Sequence, residues 1–124
     1  MAGNFEFSFI ESVEGIIILK ISGELTELHG ESLKDFILKK VKEGNIKFVL
    51  NLRELHYINS SGLGVLAGLL KNVRKNKGDI VLSQVPKVIK NILDIAKLNR
   101  VFELHTSDED ALQSLNISDN KNVY

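Results

Sequence analysis

Cysteine and tryptophan are absent from the 124 residues, and proline and methionine occur once each. Without cysteine there can be no disulfide, no thiolate metal site and no cysteine nucleophile. With one proline, no low-complexity tract and 44% hydrophobic residues, the composition excludes a disordered chain. Long hydrophobic runs are missing too: no unbroken one approaches the ~20 residues of a membrane span. Met1-Ala2-Gly3-Asn4 carries no basic stretch, so no secretory leader is expected and a cytoplasmic location is. Neither sign of charge is in excess, with 16 Lys+Arg against 16 Asp+Glu, which argues against a general nucleic-acid binder.

That balance is a sum of unlike parts. Residues 1–31 hold one basic and six acidic side chains, a net of −5. Residues 71–100 hold eight basic and two acidic, a net of +6, and residues 103–119 hold five acidic and no basic. Solvated helix surfaces account for such segments in most proteins.

No internal repeat or Gly/Ser/Pro linker divides the chain. Phe5, Phe7 and Phe9 alternate with Glu6 and Ser8, the two-residue period of a half-buried strand. Ser12 to Gly15 reads as a turn and Ile16 to Ser22 as a second strand ended by Gly23. Leu28, Leu33, Phe36, Ile37 and Val41 suggest one helical stripe, closed by Gly44-Asn45. Ile46 to Leu52 has the uncharged centre of a strand buried on both faces.

A helix is expected from about Leu63 to Lys75, a strand over Asp79–Ser83, and a helix beginning at Pro86 with the stripe Val88, Ile89, Ile92, Leu93 and Ala96. Val101 to Leu104 is a candidate last strand. Thr106 and Glu109 have capping-box spacing ahead of a final short helix. The order β-β-α-β-α-β-α-(β)-α predicts an α/β fold. It is a mixed, mainly parallel sheet of four to five strands with about four helices and an antiparallel N-terminal edge strand. One domain over 1–118 and a flexible tail over 119–124 are expected.

The densest cluster of special residues is Asn59-Ser60-Ser61-Gly62-Leu63-Gly64, where a helix opens. A serine there has two physical uses. Its hydroxyl can cap the helix, or it can carry a phosphate, which would meet free N–H groups and the positive end of the helix dipole. On these features alone, Ser60 or Ser61 as a simple cap is the plainer reading.

Catalytic signatures are missing. The glycines of 62, 64 and 68 miss the dinucleotide spacing by one residue, and neither a P-loop nor a G-x-S-x-G elbow occurs. His29, His56 and His105 stand apart without metal-ligand spacing, and no carboxylate pair suggests acid–base work. No catalytic residue, metal or cofactor is therefore assigned, and an enzyme is not expected.

Three blocks resemble one family. Phe48 to Leu52 followed by Tyr57-Ile-Asn-Ser-Ser-Gly-Leu-Gly-Val65 is similar to the central block of STAS domains in bacterial anti-sigma factor antagonists. Ile21-Ser-Gly-Glu-Leu25 and Ile92 to Phe102 resemble two further blocks, in the family's order. The resemblance is taken to cover about residues 5–115, with these blocks lying between Ile21 and Phe102.

The resemblance implies a STAS-like fold and a switch protein without catalysis of its own. Ser61 would be the phosphoacceptor. Glu24, Leu25, Thr26, Asn59, Ser60, Gly62 and Leu63 would contribute to partner binding. The partners implied are an anti-sigma factor with serine kinase activity, bound by the unphosphorylated form so that the sigma factor is released, and a PP2C-type phosphatase that restores that form. Neither nucleic acid nor membrane is an expected partner, and the oligomeric state is left open. Asn59 and Thr26 stand where the family usually has Asp. Those departures motivate the alternative of an unphosphorylated STAS scaffold that binds another regulator, a second STAS chain or a nucleotide.

Overall fold

Strand order follows chain order. A computed structural model describes residues 4–121, with side chains over 4–116. Among the described residues it has a five-stranded sheet, β1-β2-β3-β4-β5. Strands β1 (Phe5–Glu11) and β2 (Ile17–Leu25) form an antiparallel hairpin. Strands β3 (Lys47–Ile58), β4 (Asp79–Ser83) and β5 (Leu104–His105) add in parallel. Helices α1 (Glu27–Lys42), α2 (Ser60–Lys75), α3 (Lys87–Ile95) and α4 (Asp108–Lys121) complete it.

The alternation of each strand builds two unequal cores. On one face Leu19, Ile21, Phe48, Leu50, Leu52 and Leu82 pack against Leu33 and Ile37 of α1, Leu66, Leu70 and Val73 of α2, and Ile89 and Leu93 of α3. On the other, among the described residues, Ile16, Ile18, Val49 and Val81 meet Ala111 and Leu115 of α4, with Leu112 beside them. Polar groups fasten α4 as well: Asn51 Nδ2 donates to Asp108 Oδ1 at 3.0 Å and Ser83 Oγ to the same oxygen at 2.5 Å. Asn51 and Ser83 are buried, so this pairing satisfies groups that would otherwise be stranded.

Several sequence expectations are corrected. Gly23 does not end β2. It carries φ +95 at an irregularity in the β2–β3 register, and a Cβ there would collide with the Asn4 carbonyl, so glycine lets the strand continue to Leu25. Leu28 is 76% exposed rather than part of the α1 stripe. It precedes Leu33 by five residues, which at 100° each sets it about 140° away. Val88 is likewise 59% exposed and Ala96 is exposed, because α3 buries only Ile89 and Leu93, with Ile92 half-buried.

Strand β3 runs six residues past Leu52, paired to β2 in this extension through Glu54, Leu55, Tyr57 and Ile58 with two register shifts, but to β4 only up to Asn51. The chain makes a 3₁₀ turn at Leu98–Arg100 and buries Phe102 before β5 begins, at Leu104 rather than Val101. Ser107, not Thr106, caps α4, its Oγ accepting from Asp110 N at 3.1 Å. Of the expected tail 119–124, residues 119–121 belong to α4 and residues 122–124 lie outside the described residues.

Candidate functional site

Two turns meet at the C-terminal ends of the central parallel strands. Strand β2 ends at Leu25 and turns through Thr26 into α1, while β3 ends at Ile58 and turns through Asn59 into α2. Leu25 pairs with Ile58 in register, and Asn59 N donates to the Leu25 carbonyl at 3.3 Å. One turn therefore positions the other. In open α/β sheets, ligands and partners collect at this end of the strands.

Asn59 caps α2. Its backbone is extended, with φ −97 and ψ −179, and its Oδ1 accepts from Gly62 N at 2.8 Å. This overturns the plainer sequence reading that Ser60 or Ser61 supplies the cap. The helix consequently starts at Ser60, three residues before Leu63. Ser61 is the second residue of α2 and is exposed, and its hydroxyl has no hydrogen-bond partner among the described residues. The amides of the first turn lie at the positive end of the helix dipole. No acidic side chain occupies that first turn.

The other expected residues fall into three groups. Ser60 is exposed and stands beside Ser61. Gly62 and Leu25 are buried: a Cβ on Gly62 would collide with the Leu25 carbonyl and lie 2.9 Å from Ile58 Cγ1, so glycine is what allows α2 to start this close to β2. Leu63 is half-buried against the main core. Glu24 and Thr26 are half-buried on the β2–α1 turn, where Thr26 is the N-cap of α1 but makes no side-chain capping bond.

His29 was not singled out from the sequence, yet it organises that turn. Its Nδ1 lies 2.7 Å from the Glu24 carbonyl and 3.3 Å from Thr26 Oγ1. Its ring stacks on Phe5 with centroids 5.0 Å apart. Nδ1 donating to the Glu24 carbonyl holds the turn against the edge strand. The three-residue step from Thr26 to His29, one turn of helix, was the available signal. Among the described residues no group of three His, Asp or Glu side chains could hold a metal ion, and no helix is long and apolar enough to cross a membrane.

A family model described as the STAS domain matches residues 9–111. The chain belongs to the STAS domain family. Among its relatives is an anti-sigma F factor antagonist of Paenibacillus polymyxa, 25% identical over 109 residues, an alignment covering 87% of this chain and 93% of that one. An anti-sigma-B factor antagonist of Bacillus subtilis is 24% identical over 104 residues, covering 84% and 94%. The solved structure of the Bacillus cell fate determinant SpoIIAA in its phosphorylated form superposes with a TM-score of 0.71 at 17% identity, covering 88% of this chain and 98% of that one. The α/β fold expected from β/α alternation, and the STAS-like fold that the resemblance implied, are thus the fold observed, with a five-stranded mixed sheet and four helices among the described residues.

Proposed function

We propose that this STAS domain is a phosphorylation-gated anti-sigma factor antagonist acting in the cytoplasm. Unmodified, it binds an anti-sigma factor that is also a serine kinase and so releases the sigma factor. The kinase transfers the γ-phosphoryl group of ATP to Ser61 Oγ, whose proton is lost, and ADP leaves. A PP2C-type phosphatase hydrolyses the ester and restores the binding form. The observation that carries this reading is the free, exposed hydroxyl of Ser61 at a helix start already capped by Asn59. The names of the relatives support the antagonist role.

Charge is the gate. A phosphate brings about −1.5 to −2 charge and three acceptor oxygens to a residue that is otherwise neutral. The helix dipole favours that charge in the first turn, so the fold tolerates it. A docked partner does not, because the phosphate must be desolvated and set against whatever faces Ser61. Asn59 fits this scheme: it caps as well as Asp would and places no carboxylate near the phosphate. Glu24, Thr26, Ser60 and Leu63 form the surrounding surface, while Leu25 and Gly62 act from below it by holding the two turns together.

The test is incubation with the kinase-type anti-sigma factor of the same organism and ATP, followed by peptide mapping. Phosphate is expected on Ser61 and is lost in Ser61→Ala. Labelling that persists in Ser61→Ala removes the assignment.

A further inference from the structure

The glycines of the first two helices divide into two kinds. Gly30 and Gly62 are required by the fold: a Cβ on Gly30 would lie 2.7 Å from Val65 Cγ2, and one on Gly62 would strike the Leu25 carbonyl. Gly64 and Gly68 are not required, since a Cβ at either would meet nothing within 4 Å. Glycine inside a helix weakens it relative to alanine, so these two positions forgo stability without relieving any contact among the described residues. Both line a groove of about 480 Å³ between α1 and α2.

The groove has the form of a helix seat. Leu38, Val65 and Leu69 are buried or half-buried and make its floor, while Glu27 and Lys34 stand exposed on its α1 side. Neither of those two charges forms an ion pair among the described residues. From Ser61 to Asn72 the α2 side extends eleven residues, about 16 Å or three helical turns. Ser61 is part of the lining, so the groove is continuous with the switch surface.

The geometry points to this groove as the seat for one amphipathic helix of the anti-sigma partner, and the inference rests on the reading above that such a partner docks here. The helix lays small apolar side chains over Gly64 and Gly68, where the missing side chains permit a close approach. It carries a basic group toward Glu27 and an acidic group toward Lys34, two turns apart on α1. Phosphate on Ser61 then stands in the mouth of the seat, which ties the gate to the groove by position as well as by charge.

The experiment titrates the purified serine-kinase anti-sigma factor of the same organism into the parent chain, Ser61→Asp, Gly68→Ala and Gly68→Leu by calorimetry, with thermal melts of each. Residue 68 is about 10 Å along the helix from Ser61. Gly68→Leu is expected to weaken binding at least ~30-fold and Gly68→Ala about 5-fold, by filling the place of a partner side chain. Both variants should melt at or above the parent temperature, because the added carbon meets open space and the helix gains propensity.

Binding falling while stability holds or rises is an outcome that a purely structural glycine would not give. If Gly68→Leu does not fold, Gly68→Ala decides by the same two readouts. Parent-like binding by the folded glycine variants, with Ser61→Asp still impaired, overturns the groove and leaves the switch standing. No binding by the unmodified parent overturns the switch reading and this occupant together. Loss of parent self-association in the glycine variants, with kinase binding intact, gives the groove to a second copy and overturns the proposed occupant.

Discussion

Helices α2 and α4 both begin beside serines and use them in opposite ways. At α4, Ser107 is consumed by the fold: its Oγ accepts from Asp110 N and closes the first turn. At α2, Asn59 does that work and Ser61, two residues inside, keeps its hydroxyl free. The first turn of α4 is also acidic, with Asp108, Glu109 and Asp110, whereas that of α2 has no acidic residue. A helix start already capped and already negatively charged has no use for a phosphate. One that is capped by a neutral side chain retains its positive end. The difference teaches that what leaves a serine free at a helix start is the neighbour that caps in its place, more than the serine itself.

This contrast can be broken at several points. Phosphate on Ser61 is expected to have the largest effect under the proposed switch, a loss of ~3 kcal/mol or about a hundredfold in affinity for the anti-sigma factor, to be measured by calorimetry on the modified and unmodified chains. An equal affinity for both forms removes the charge gate. Next comes Gly62→Ala, which forces a Cβ into the Leu25 carbonyl and should destabilise the chain by about 2 kcal/mol in urea unfolding.

Asn59→Ala and Ser107→Ala should each cost about 1 kcal/mol as lost caps, while Ser61→Ala stays within ~0.5 kcal/mol of the parent. A Ser61→Ala loss matching that of Ser107→Ala would show that the two serines are used alike.

The smallest effect belongs to Glu103. Its carboxyl is held below the usual carboxylate value, first by the hydrogen bond from Ser114 of α4, which burial opposes, and then by His105 and Arg74. A lowered folded pKa stabilises above the unfolded value and loses that contribution as pH falls through the folded one. Urea midpoints taken downward from pH 5 should therefore fall more for the parent than for Glu103→Gln. The difference should be slight, because Glu103 is about half exposed.

Much of this architecture could be read from residue patterns. The two-residue period of Phe5, Phe7 and Phe9, the apolar centre of β3 and the Gly44-Asn45 stop after α1 pointed to these elements and to a mixed, mainly parallel sheet. The errors cluster where several residues compete for one role. Asn59, Ser60 and Ser61 are all good caps, and only the extended backbone at Asn59 decides among them. Thr106 and Ser107 pose the same problem, with the same kind of answer.

Leu28 and Val88 are apolar but face outward, and hydrophobicity alone does not reveal which side of a short helix meets the sheet. That Ser61 lies where α2 opens was legible from its motif. The support of its surroundings by His29, and the groove between α1 and α2, depend on packing between segments far apart in the sequence, which local patterns do not carry.

Sheet order identical to chain order has a consequence for how the molecule is made. Each strand pairs with the one synthesised just before it, so no strand waits for a later one to fill a gap at its side. On a ribosome the hairpin of β1 and β2 can form first, β3 can dock once α1 has emerged, and the sheet can lengthen at a single growing edge. The growing edge is the one that later segments cover. Residue 61 follows closely on the end of β3, so its helix start can form before α3, β5 and α4 exist. A partner that reads only the two turns and the first two helices could therefore meet its docking surface on a chain still being translated.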